Sequence, residues 1–76
     1  MNLNQFTQKS LEAVQTAQTL AQTYGNQQIE QPHVMLALLQ QENGLVPQLL
    51  TGMGITVPSF TAAVKAEVEK LPKVSG

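Results

Sequence analysis

Apolar residues recur along this chain at helical spacing in four blocks, each closed by a glycine or a proline. The first runs from about Asn4 to Tyr24, with Leu3, Phe6, Ala13, Val14, Ala17, Leu20, Ala21 and Tyr24 on one face. Asn4 is the expected N-cap, because its side-chain oxygen can accept an otherwise unpaired backbone N–H. Gly25 ends the block, since it takes the left-handed conformation that follows a helix at no steric cost. The small alanines predict close approach to a neighbouring helix.

The second block, Pro32-His33-Val34-Met35-Leu36-Ala37-Leu38-Leu39, has Gln31 before it and Gln40-Gln41-Glu42 after it. Wound as a helix, it points apolar side chains in nearly every direction, and such a helix is normally surrounded by others. Pro32 suits the first helical position, and the stop is expected near Asn43-Gly44. Ile29, the one apolar residue of the preceding polar connection, is expected to plug the edge of the core. A short third helix carries Leu45, Val46, Leu49, Leu50 and Met53 on one face; Pro47 sits in its first turn and Gly54 closes it. The fourth helix starts at Thr56 as N-cap and presents Val57, Phe60, Val64, Val68 and Leu71. Ala63 borders that stripe, Lys65, Glu69 and Lys70 face solvent, and Pro72 stops the helix. No alternating strand pattern competes. The expected fold is all-α: a four-helix unit over residues 1–71 with a buried central second helix, followed by a tail or linker over residues 72–76.

Composition narrows the functions. A chain of 76 residues is one domain or part of one, and at this size folding buries only about 60% of the unfolded surface. Cysteine is absent, so no disulfide or thiolate metal site supports the fold. Charged residues make up 12% with a net charge of -1, against about 25% charged in typical domains. The four lysines, Lys9, Lys65, Lys70 and Lys73, form no stripe and arginine is absent, so nucleic acid is not an expected partner. Nothing approaches the roughly 20 apolar residues of a membrane span. The N-terminus lacks the basic and apolar regions of a signal peptide. A cytoplasmic location is expected.

Catalytic chemistry has no visible carriers. No phosphate-cradling glycine loop is present. His33 has no second histidine or cysteine for a metal set, and it reads as a helix-start residue whose ring packs on the core and bonds locally. Glu67 and Glu69 project in different directions. No cofactor and no metal are expected. Thr7 and Leu11 lie one turn apart, about 100° or more from the centre of the apolar face of the first helix. Two readings of them stay open: an ordinary surface leucine, or one edge of a groove that touches a flexible peptide.

The ordered set of Phe6-Thr7, Leu20-Ala21, Ile29, the run His33 to Leu39, Gly44, Leu49-Leu50 and Gly54-Ile55 resembles the Clp amino-terminal repeat. The two ends of the chain look most like the ClpB-type disaggregase branch. The resemblance covers essentially the whole chain, although the family usually has an acidic residue where Pro32 stands. It implies a non-catalytic module at the front of a hexameric AAA+ chaperone that engages unfolded or aggregated polypeptide. It also implies that Thr7 contacts substrate, with Leu11 beside it. Family domains normally pair two such repeats about a pseudo-twofold axis, and this chain corresponds to the first. A homodimer, in which a twin copy covers the open face, is therefore expected. An adaptor-docking domain of a Clp protease ATPase and a purely structural oligomerisation unit are the alternative functions.

Overall fold

The computed structural model describes residues 2–41 and 44–74. They form four helices and, among the described residues, no strand: α1 (Leu3–Thr23), α2 (Gln31–Leu39), α3 (Leu45–Gly52) and α4 (Val57–Glu69). The chain is all-α, as its periodicity predicts. Helix α2 is the hub. It packs along α1 on one side and α4 on the other, with α3 crossing its end, while α1 and α4 do not meet.

The helix ends follow local chemistry. Asn2, not Asn4, caps α1: its Oδ1 accepts the Gln5 N–H at 2.8 Å, and Gln5 Oε1 accepts the Asn2 N–H at 3.2 Å. This reciprocal box satisfies two groups at once, which Asn4 could not do from inside the first turn. At the other end Gly25 adopts φ +72. The Asn26 N–H then donates to Ala21 O at 2.8 Å and the Gly25 N–H to Gln22 O at 3.1 Å, a Schellman closure. Gly54, at φ +80, closes α3 in the same way, with Ile55 donating to Leu50 O at 2.9 Å. Thr56 stands at the N-cap of α4 as expected, but its side chain makes no capping bond there.

Helix α2 starts one residue before Pro32 and ends at Leu39, short of the expected stop, of which Asn43 lies outside the described residues. The chain leaves the helix early because Gln41 turns back to α1, where its Nε2–H donates to Lys9 O at 2.6 Å.

The buried apolar residues are Ala13, Ala17 and Ala21 of α1, Leu36, Ala37 and Leu39 of α2, and Val68 of α4. Four of these are alanines, so α1 and α2 approach closely but exclude little apolar area per residue. The core is thin. Val57, Phe60, Val64 and Leu71 are partly buried rather than enclosed. The Cα atoms fill a plate of 42 × 28 × 15 Å with a radius of gyration of 13.1 Å, above the roughly 11 Å of a compact chain this long.

Several residues expected in the core are instead open. Leu3, Phe6 and Val14 of α1 are exposed. For Leu3 and Phe6 the cause is length: α1 spans roughly 31 Å and α2 roughly 13 Å, so the N-terminal part of α1 overhangs its partner, whereas Val14, next to the buried Ala13, is turned away from α2. Val34 and Met35 are exposed on α2 because α1 and α4 do not meet and leave that edge uncovered. Leu45 and Leu49 of α3 and Met53 at its C-cap are exposed, and Ile29 rims a groove rather than plugging the core.

Candidate functional site

Two apolar surfaces and one polar chain centred on a buried histidine are the features that could carry function. The first surface lies on α1. Thr7 and Leu11 are both exposed, and helical spacing puts them on the same side as Leu3 and Val14. Leu3, Leu11 and Val14 are 80%, 59% and 54% exposed, enough to make a continuous apolar stripe rather than isolated leucines. The Thr7 hydroxyl donates to Leu3 O at 3.0 Å, which leaves its oxygen able to accept from a partner. Asn4 and Gln18 flank the stripe, and no charged residue shares that face. Leu3 and Val14 belong to this surface although their spacing reads as core. The overhang of a 21-residue helix past a nine-residue one is the signal that could have found Leu3.

The second surface is a groove of about 630 Å³ between α2 and α4, with Ile29, Pro32, Val34, Met35, Leu38 and Val64 along it. Glu30 and Glu67 stand at its edge. The Glu67 carboxylate also accepts from Lys70 Nζ at 3.3 Å in an exposed pair, of a kind that stabilises little. A small cleft of about 100 Å³ lies on the far side of Leu38, against Phe6, Ser10 and Leu45.

The polar chain runs from the interior to the surface. His33 is completely buried. Its Nδ1 accepts the Glu30 N–H at 2.8 Å, so the neutral ring carries its proton on Nε2 and donates to Asn26 Oδ1 at 2.7 Å. Asn26 Nδ2–H donates onward to Pro72 O at 3.1 Å. Both ring nitrogens are thus occupied in holding the start of α2. Among the described residues no three His, Cys, Asp or Glu side chains gather as a metal set, and no helix is long and apolar enough to cross a membrane. The arrangement offers surfaces for contact, with its histidine committed to structure.

A four-helix unit with a histidine-led hub helix is consistent with one class of domain, and the family profile of the Clp repeat (R) N-terminal domain matches residues 5–76. The chain belongs to that family. Its similar relatives include proteins named "Chaperone protein ClpB" from Nitratidesulfovibrio vulgaris and Porphyromonas gingivalis, each 42% identical over all 76 residues. The protein of that name from a Bacillus cereus strain is 33% identical over the same span. The chain covers 9% of the length of each of these relatives.

Proposed function

We propose that this chain is the substrate-engaging amino-terminal module of an ATP-driven protein disaggregase, without catalysis of its own. It acts in the cytoplasm, attached to the remainder of a hexameric AAA+ chaperone, and holds unfolded or aggregated polypeptide. The observation that carries this reading is the exposed, uncharged stripe Leu3, Thr7, Leu11 and Val14 on α1. Extended polypeptide offers apolar side chains to Leu3, Leu11 and Val14, and a backbone N–H to the Thr7 oxygen. Covering the three apolar side chains contributes roughly 3–5 kcal/mol gross. Association itself costs at least about 4 kcal/mol. A single module therefore binds weakly, and firm capture takes several modules acting on one chain. With no charge in the stripe, binding is tolerant of peptide sequence and of salt.

NMR titration with unfolded casein tests this. Shift changes centred on Thr7, Leu11 and Val14 are expected, and Leu11→Ser weakens them while leaving the fold intact. A titration that leaves the α1 amides in place counts against the reading.

The α2–α4 groove favours a twin copy as a second partner. The chain exposes 5395 Å², whereas a folded monomer of 8.2 kDa exposes about 4,500 Å². The excess is close to the roughly 800 Å² that each partner buries in an ordinary interface. Sedimentation velocity is expected to show a dimer that Met35→Glu shifts to monomer. A monomer at every concentration argues against the pairing.

A further inference from the structure

We propose that residues 71–74 are a strap that fastens the end of α4 to the turn closing α1, and that releasing it loosens one wall of the α2–α4 groove. The strap is held at three points. The Val74 N–H donates to Gly25 O at 2.6 Å, Lys73 Nζ donates to Tyr24 O at 3.0 Å, and Asn26 Nδ2–H donates to Pro72 O at 3.1 Å. Lys73 and Asn26 also form an isolated antiparallel bridge, and the Lys73 ammonium stands 5.5 Å from the centre of the Tyr24 ring. Pro72, Lys73 and Val74 are all exposed, so polar contacts rather than burial hold the segment down. Segments held in that way open far more readily than a core.

The release is felt elsewhere because of Asn26. One planar amide serves two masters: its nitrogen holds the strap, and its oxygen accepts from the buried His33 ring. That ring, through Nδ1, fixes the Glu30 N–H at the start of α2. The Schellman closure at Gly25 places Asn26 where it can reach both. Glu30 also borders the cavity of about 190 Å³ beside Pro72 and Lys73, and on its other side it edges the groove with Ile29 and Pro32. The connection from Asn26 to Pro32 is thus a partition with the strap on one side and the groove on the other. Linkage runs both ways: an undocked strap loosens the groove edge, and an occupant that fixes the groove edge favours the docked strap. The inference rests on this geometry and not on which partner fills the groove.

Val74→Pro tests it in the full chain. Proline has no N–H to give Gly25 O, and an exposed position this far from the core leaves the helices standing. Amide hydrogen exchange by NMR is expected to quicken at Glu30 by roughly 3- to 10-fold, the scale of one lost hydrogen bond, with Ala17 unchanged. Asn26→Ala breaks the link from the other end, and should bring the Lys73 signals to free-chain positions while quickening Glu30. If that variant loses helical circular dichroism, Val74→Pro decides alone. A strap freed by Val74→Pro with Glu30 exchange unaltered overturns the coupling. A strap that stays docked without the Val74 donor, with Glu30 unaltered, overturns it equally.

Discussion

Replacing His33 separates packing from polar pairing in this fold. The ring is completely buried and makes two hydrogen bonds, 2.8 Å from Glu30 N and 2.7 Å from Asn26 Oδ1. His33→Ala removes both and opens a hole the size of the ring. A net loss of about 1 kcal/mol per hydrogen bond, with a cavity term of roughly 1–2 kcal/mol, predicts a destabilisation of about 3–4 kcal/mol. For a chain of 76 residues, total stability is on the order of 4–11 kcal/mol. The variant is therefore marginal.

His33→Phe keeps most of the volume and discards both polar contacts. It strands the Glu30 N–H and the Asn26 carbonyl, each at a cost near the low end of 1–3 kcal/mol, since both lie only partly buried. A loss of about 2–3 kcal/mol is expected. Urea denaturation followed by circular dichroism reads these values. With a slope of about 1 kcal/mol/M for so small a domain, the midpoint falls by roughly 2–3 M for the phenylalanine variant. A His33→Phe protein within about 0.5 kcal/mol of the parent would refute the reasoning. It would show that the ring acts as filler and that the bonds to Glu30 and Asn26 contribute nothing net. A double-mutant cycle with Asn26→Ala isolates the pair, with a coupling above about 0.5 kcal/mol expected for groups in contact.

Four further predictions concern stability and are checked by the same denaturation. Asn2→Ala costs about 1 kcal/mol by losing the capping box, whereas Asn4→Ala changes stability by less than about 0.5 kcal/mol. Gly54→Ala costs about 1–2 kcal/mol from the backbone alone, because its φ is +80 and nothing lies within 4 Å of an added Cβ. Gly52→Ala, with open space and a helical backbone, stabilises by up to about 1 kcal/mol. Ala17→Leu forces α1 away from α2 and costs about 1–3 kcal/mol, since Ala17 is buried in one cluster with Ala13 and with Ala37 of α2.

Much of the fold is legible in the residues. Gly25 and Gly54 mark helix ends by the left-handed conformation they adopt, and the alanines of α1 announce the close contact with α2. The apolar excess of α2 identifies it as the hub. What spacing could not convey is extent. A stripe of apolar residues predicts which side of a helix faces inward, not how far along that side a partner reaches. Leu3, Phe6 and Val14 lie on the inward side of α1 by angle, yet they run past the end of α2 or out to its edge. The same ambiguity hid the groove: Val34 and Met35 read as core because nothing in a linear pattern reveals that α1 and α4 do not meet over them. His33 was legible as a locally bonded core residue. Its tie to Pro72, some forty residues away, was not, because Asn26 reads as an ordinary turn residue until the chain is folded.

The plate is about as thick as one helix resting on another, and that leaves no reserve of interior between its two broad sides. Helix α2 is the shared partition. Val34 and Met35 lie on the open side of that helix, while its Ala37 packs against Ala13 and Ala17 of α1. In so thin a wafer every apolar side chain lies within one helical diameter, ~10 Å, of water.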